Sequence, residues 1–259
     1  MKKHQLITIT TDFSYQDPFV GIMKGIILSE FPDTNIIDLN HGIRPQDIMQ
    51  TALSLSASVF FFPKQTIHLI VVDPGVGSSC KRLAARTKDY HFVYPDNGVI
   101  DLVFAKSPPQ EIVEINTDLF KKKSQTFHGR DIFAPVAAKI ASGKRLSSFG
   151  VPIDWEKKLT LPDVQIVNNQ INNLSIIYQD HFGNMFFNLN EQDFPENNKY
   201  PHTLIINNIN FPVCSSYADA GQGNPGIILN SFGYYELFIC NGNASENYDF
   251  NIPFSAEFF

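Results

Sequence analysis

Asp73 closes the apolar run Ile67-His68-Leu69-Ile70-Val71-Val72 and is followed by Pro74-Gly75-Val76-Gly77. A β-branched run of this length predicts a buried strand. Pro74 cannot continue a hydrogen-bond ladder, and the glycines accept backbone angles that other residues avoid. A carboxylate is thereby fixed at the mouth of a sheet, where it can grip a cation, accept a hydroxyl or orient a water molecule. The arrangement recurs. Asp12 follows Ile7-Thr8-Ile9-Thr10-Thr11, Asp38 and His41 follow Ile36-Ile37, and Asp96-Asn97 follows the run that starts at His91. Carboxyl ends of parallel strands converge on one rim, so these groups can line a single ligand cleft. Taken singly, each is equally well read as a turn residue.

Other chemistry-bearing residues lie further along. Thr126-Phe127-His128-Gly129-Arg130-Asp131 precedes a helical stretch, with Asp131 placed as its N-cap and Pro135 in its first turn. Alone, His128 reads as an acid–base group or as a packed histidine. In the second half, Asp180-His181-Phe182-Gly183-Asn184 leads into Met185-Phe186-Phe187, an Asp and an amide flanking an aromatic. That suits a polar small molecule held against a ring, and it also suits an ordinary turn. The glycines of 73–77 match neither a Walker phosphate loop nor a dinucleotide fingerprint. Asp12, Asp73 and Asp96 are chemically able to bind Mg²⁺ or Mn²⁺, but no His-x-Asp or paired-histidine spacing accompanies them, and no metal is expected.

The elements that must position these groups are legible in outline. Strands are predicted over Gln5–Thr11, Asn35–Leu39, Gln65–Val72 and His91–Val93, and helices over Phe19–Phe31, Asp47–Phe61 and Ile132–Ala141. Alternation of the two argues a layered α/β domain with a mostly parallel sheet over 1–152. Residues 153–164, polar and bracketed by prolines, read as a linker. From 165 to 259, strand-like runs alternate with turns and predict a mostly antiparallel β domain. Phe60-Phe61-Phe62 reads as core or interface, and the Asn-rich patches near 168–173 and 207–210 as loops.

The bulk composition limits the partners. Hydrophobic content of 43% and charged content of 18% are globular values, and the formal charge of −6 argues against nucleic-acid or polybasic membrane surfaces. Cys80, Cys214 and Cys240 lie far apart, which suits a reducing cytoplasm. The apolar stretch after the basic N-terminus breaks at Asp12, too early for a signal peptide.

Taken in order, Thr11-Asp12-Phe13, Val72-Asp73-Pro74-Gly75-Val76-Gly77, Pro95-Asp96-Asn97-Gly98, Thr126 to Asp131, Asp180 to Asn184, Tyr217-Ala218-Asp219-Ala220-Gly221, Asn230-Ser231 and Asn243-Ala244 span nearly the whole chain. The ordered set resembles the S-adenosyl-L-methionine (SAM) hydroxide adenosyltransferases, or SAM hydrolases, relatives of the fluorinases and chlorinases. The resemblance implies an α/β N-terminal domain and a β-barrel-like C-terminal domain. It also implies a homotrimer, with SAM held between the N-terminal domain of one subunit and the C-terminal domain of the next. The implied reaction converts SAM and water to adenosine and L-methionine by attack of hydroxide on ribose C5′, with no cofactor.

In the resemblance, Asp73 and His128 match two members of the family's Asp-Arg-His triad. Asp12, with Phe13 beside it, matches the acid that holds the ribose hydroxyls. Asp180 and Ser231 match groups gripping the methionine amine and carboxylate. Asn184, Phe186, Tyr217 and Ala244 match the adenine-side wall, with stacking on Tyr217. The family's arginine position is Cys80 here, with Lys81 and Arg82 following. A thiol does not supply a guanidinium's fixed charge, and a depressed-pKa thiolate would add the wrong sign. Either Arg82 or Lys81 swings in to supply the cation, or the site works weakly, or the chain is a non-catalytic SAM- or adenosine-binding protein. A halide-using relative is a third reading. Against it, the fluorinase pattern carries an aromatic and a hydroxyl residue where His128 and Gly129 stand, and this chain lacks the fluorinase insertion.

Overall fold

The computed structural model describes residues 5–120, 124–195, 201–250 and 252–259. The chain divides into two compact units, Met1–Thr160 and Leu161–Phe259.

In the first unit, seven strands form one sheet: β1 (Leu6–Thr11), β2 (Asn35–Asn40), β3 (Ile67–Val71), β4 (Arg82–Arg86), β5 (His91–Pro95), β6 (Glu111–Ile115) and β7 (Gly150–Pro152), in the order β2-β1-β3-β5-β4-β6-β7. The pairings among β2, β1, β3 and β5 are parallel. Those of β5 with β4, β4 with β6, and β6 with β7 are antiparallel. The sheet is thus mixed, and the expectation of a mostly parallel sheet holds on one side only. The strands that change its character carry weak signals. β4 reads Arg-Leu-Ala-Ala-Arg, and alanine is a poor strand former. It returns to β5 as a hairpin, which forces antiparallel pairing.

Helices cover both faces: α1 (Phe19–Glu30), α2 (Ile48–Ser58), α3 (Asp101–Lys106) and α4 (Ala134–Ala141). Alternate residues of β3 serve two cores. Ile67, Leu69 and Val71 pack with Met23 and Ile27 of α1 and Val136 of α4. Ile70 and Val72 pack with Leu55 of α2 and Phe104 of α3. A strand buried on both faces reads as a continuous apolar run, and each such side chain contributes about 1.5–3 kcal/mol.

Local chemistry sets the helix starts. Asp47 caps α2 by accepting the Gln50 N–H at 2.8 Å. α4 begins later than predicted, because a wide turn, Gly129–Phe133, precedes it, with the Ala134 N–H donating to the Gly129 carbonyl. Pro135 has no N–H to close an ordinary turn onto residue 131. Asp131 therefore lies inside the turn and is not an N-cap; its carboxylate accepts the Ser124 N–H at 2.7 Å and pairs with Arg130 at 2.6 Å. Of the Phe60–Phe62 run, Phe62 packs against the core, whereas Phe61 is 88% exposed and is not a core residue.

Residues 153–164 carry neither helix nor strand. Their first half is anchored to the first unit, where buried Asp101 accepts Trp155 Nε1 at 3.0 Å and the N–H groups of Lys158 and Leu159 at 2.6 and 2.7 Å.

The second unit is a curled nine-stranded sheet. Its strands are β8 (Gln165–Val167), β9 (Gln170–Leu174), β10 (Ile176–Gln179), β11 (Met185–Asn190), β12 (Thr203–Ile206), β13 (Ile209–Cys214), β14 (Pro225–Leu229), β15 (Tyr234–Ile239) and β16 (Phe254–Phe258). They run in the order β10-β11-β15-β14-β13-β12-β16-β9-β8. Only β13 and β14 pair in parallel among the described residues. The Asn-rich patches are its tight turns: Asn168-Asn169 joins β8 to β9 and Asn207-Asn208 joins β12 to β13, all four at positive φ. Asn tolerates that conformation, which two-residue hairpin turns require.

Candidate active site

β1 and β3 are neighbours with Thr11 opposite Val71, so Asp12 and Asp73 leave the sheet from adjacent strand ends. Two close approaches bring the segment before α4 onto the same rim. Gly77 has φ +80°, and a Cβ there would lie 2.8 Å from the Gln125 carbonyl oxygen. A Cβ on Gly129 would lie 3.1 Å from Met23 Sδ and 3.3 Å from Val71 Cγ1. Glycine at both points lets the 73–77 loop and the 125–129 segment pack together, and Asp73 and His128 fall within electrostatic reach of each other.

The chain leaving Asp73 is folded on itself. Asp73 Oδ1 accepts the Gly75 N–H at 3.0 Å, the Ser78 hydroxyl donates to the Gly75 carbonyl at 2.6 Å, and Ser78 Oγ accepts the Cys80 N–H at 3.2 Å. That fold brings the Cys80 thiol close enough to the Asp73 carboxylate for each to shift the other, while Sγ donates to the Lys81 carbonyl oxygen at 3.7 Å. Burial, then the Asp73 charge, pushes the thiol up to about 11, so it stays protonated at neutral pH. Cys80 is thus neutral and adds no charge of either sign to the site.

Arg82 lies two residues on, at the start of β4. Its Nη1 donates to the Cys80 carbonyl at 2.9 Å, and its charge acts on both Asp73 and His128. Lys81 instead pairs with Glu114 at 3.1 Å.

The electrostatics are mutually adjusted. Burial lifts the Asp73 carboxyl above its ordinary value, opposed by the Gly75 N–H, Cys80, His128 and Arg82. Burial and then Arg82 lower His128, so its ring is neutral at physiological pH. His128 Nδ1 and Arg82 Nε are buried with no protein partner. A carboxylate, a neutral imidazole and a guanidinium around unspent polar atoms can hold a water molecule and take its proton.

Asp12 is placed by a second network. The Gln46 N–H donates to its Oδ2 at 2.8 Å. Asp38 lies 3.0 Å from His41 Nε2, and His41 Nδ1 shares a hydrogen bond with the Thr11 hydroxyl at 2.8 Å. Thr11 Oγ1 in turn accepts the Phe13 N–H at 3.2 Å. The Phe13 ring packs edge-on to Phe127, next to His128, with centroids 6.0 Å apart.

In the second unit, Asp180, Asn184, Phe186, Tyr217 and Ser231 line one cleft of about 600 Å³. Phe186 meets Tyr178 and Phe232 at ring-centroid distances of 4.9 and 5.5 Å, giving the cleft an aromatic wall. Asp180 Oδ1 accepts the N–H groups of Phe182 and Asn184, both at 2.9 Å. Ala244 stands apart: its methyl is fully buried in the core of the unit. Sequence reasoning missed Glu236, which is 1% exposed and lines the same cleft. Its signal was a single acid inside the otherwise apolar and aromatic β15, a placement that is rare unless the charge is paired or hydrogen-bonded. Among the described residues no group of three His, Cys, Asp or Glu side chains is placed to hold a metal ion.

A strand-end acid, imidazole and guanidinium on an α/β unit, with an aromatic, polar-floored cleft on a β unit, define a two-unit protein built for small-molecule chemistry. The chain belongs to the SAM hydroxide adenosyltransferase family: the profile of the family's N-terminal domain matches residues 7–150 and that of its C-terminal domain residues 174–253. It is 33% identical to the (R)-S-adenosyl-L-methionine hydrolase of Methanocaldococcus jannaschii, over 93% of this chain and 90% of that protein. It is 26% identical to the fluorinase of an Actinoplanes species, over 95% and 94%. Among solved structures, a conserved protein of Thermotoga maritima superposes with a TM-score of 0.86 at 30% identity, covering 98% of this chain and 99% of that one.

Proposed function

We propose that this chain hydrolyses S-adenosyl-L-methionine to adenosine and L-methionine by attack of an activated water on ribose C5′. The observation that carries the reading is the cluster of Asp73, Arg82 and His128 at the strand ends of a family member. The sulfonium leaves as a neutral thioether, so the leaving group needs no proton. The work that remains is to align one water with the C5′–S bond and to remove its proton. Asp73 orients that water, His128 in its neutral form completes the hydrogen-bond set and takes the proton, and Arg82 supplies the cation at a position shifted by two residues. Asp12 holds the ribose hydroxyls beside Phe13. Asp180 and Ser231 grip the amine and carboxylate of the methionine portion. Asn184, Phe186 and Tyr217 wall the adenine, with Ala244 contributing backbone alone. Water is favoured over halide because a halide needs no base and is repelled by a carboxylate at the attack position.

The resemblance further supports a homotrimer, each substrate lying between the N-terminal unit of one copy and the C-terminal unit of another, and cytoplasmic work on a small molecule without nucleic acid, membrane or cofactor. Sedimentation equilibrium tests the assembly: three chain masses are expected, and a monomer at micromolar concentration contradicts it. The reaction is tested by incubating the protein with the (R) and (S) sulfur forms of SAM, with fluoride and chloride present, and separating the products by chromatography. Equal amounts of adenosine and methionine are expected, well above the protein-free rate. A 5′-halo-5′-deoxyadenosine would instead mark a halogenase. Tight SAM binding at the background rate would mark a binding protein.

A further inference from the structure

Glu236 lies beneath the aromatic cleft of the C-terminal unit and organises three of its walls. Its Oε1 accepts the Tyr217 hydroxyl at 2.7 Å and Asn184 Nδ2 at 3.2 Å, and its Oε2 accepts Asn230 Nδ2 at 2.8 Å. Asn184 Nδ2 also donates to Asp180 Oδ2 at 3.1 Å. Burial raises the Glu236 carboxyl above its ordinary value, opposed by Tyr217, Asn230 and Asn184. With donors on both of its oxygens it serves as an acceptor, as Asp180 does, and two acceptors against one end of an amide fix that end as the NH₂. Both amide protons of Asn184 are thus spent on protein. Among the described residues nothing donates to its Oδ1, and what Asn184 has left to offer a ligand is an acceptor.

We propose that Glu236 is a specificity-determining positioning residue. By claiming the donors of Asn184 and Tyr217, it makes the cleft select a purine bearing an exocyclic amino group, as in adenosine, over one bearing an oxo group, as in inosine. The proposal rests on the adenine-side reading given above. Its logic is that a buried acceptor facing a second acceptor leaves both unpaired, which costs far more than a mismatch in apolar volume.

The network also says what removing the charge would do. Asn230 Oδ1 accepts the N–H groups of Phe232 and Tyr234 at 2.9 and 3.1 Å, so Asn230 cannot turn its amide over. In Glu236→Gln the new carbonyl must therefore face Asn230, and the new NH₂ faces Tyr217 and Asn184. Two NH₂ groups now meet, and only Asp180 Oδ2 still holds the amide of Asn184 in its old orientation, so Asn184 is no longer fixed from both sides and can offer the ligand a donor as well as an acceptor.

Calorimetric titration of adenosine and inosine into the full-length protein tests this without requiring turnover. The wild type should bind adenosine at least about tenfold more tightly than inosine. Glu236→Gln should bring that ratio below about threefold or invert it. Glu236→Asp keeps the charge but withdraws it from Asn184, and should move the ratio the same way; it decides the matter if the Gln variant does not fold. A wild-type ratio below about threefold, or a ratio unmoved in the folded variants, overturns the proposal. Adenosine release from SAM is followed in parallel. Turnover with an unmoved ratio refutes the role of Glu236 and leaves hydrolysis standing. A shifted ratio without turnover does the reverse. Binding of neither nucleoside refutes both.

Discussion

At Cys80 the chain departs from the pattern that the resemblance implies, and in the proposed site the positive charge comes from Arg82 instead. The thiol lies beside Asp73 and stays neutral, so it cannot offset the carboxylate's charge. Arg82 can, because its charge reaches both Asp73 and His128. Arg82→Met should lower kcat about 100-fold with little change in SAM affinity, the loss expected for one preorganised charged group. Cys80→Arg should change kcat by less than about tenfold, since it duplicates a charge already present. The pH profile provides a separate check. The His128 ring must be neutral to take a proton, and burial with the Arg82 charge holds it below the ordinary value of 6.5, so the acid limb of kcat falls below that pH. Removing a neighbouring cation makes protonation easier, and in Arg82→Met the limb moves up in pH; in Asp73→Asn, which removes an anion, it moves down. A limb that stays put in both variants contradicts the cluster. Asp12 and Asp73 were legible as strand-end acids because the runs before them are strongly apolar. Arg82 was legible only as one of two candidates with Lys81, since spacing does not say which side chain turns inward; the pairing of Lys81 with Glu114 and the reach of the Arg82 charge to Asp73 and His128 separate them.

The strands that carry the rim depend on a buried cross-strand pair. His68 of β3 lies opposite Thr8 of β1, accepts or donates through Nδ1 to its hydroxyl at 2.7 Å, and stacks on Phe92 at 5.3 Å. The ring is fully buried, its Nε2 has no partner, and burial lowers it from 6.5 to about 3. The folded value lies below the unfolded one, so the stability contributed by the neutral ring is complete above about 6.5 and is lost as pH falls toward 3. Comparing wild type with His68→Gln by urea unfolding isolates it. The wild-type advantage should shrink by about 1.4 kcal/mol between pH 7.5 and pH 5.5; a constant difference would mean that His68 is protonated in the fold. Elements of this kind, β1, β3, β5, α1 and α2, were readable because their apolar periodicity is strong and long. β4, β6 and β7 were not: they are short, flanked by Arg, Glu and Pro, and owe their strand form to the neighbours they pair with. Their omission is why the sheet looked parallel from sequence.

The molecule as a whole suits its proposed substrate electrostatically. A chain of formal charge −6 presents an attractive field to a sulfonium cation, an effect on encounter rate that weakens with added salt. The division into an α/β unit and a β unit was visible as a change of texture near residue 150, whereas the curl and strand order of the second unit come from long-range pairing that no local pattern encodes. The central claim is that the strand-end cluster turns a solvent molecule into the nucleophile at C5′. Running the SAM reaction in ¹⁸O-water and weighing the products by mass spectrometry tests it most directly. One ¹⁸O should appear on the 5′-oxygen of every adenosine and none in methionine. Unlabelled adenosine, or label carried by the methionine fragment, would place the bond-breaking elsewhere and contradict the mechanism.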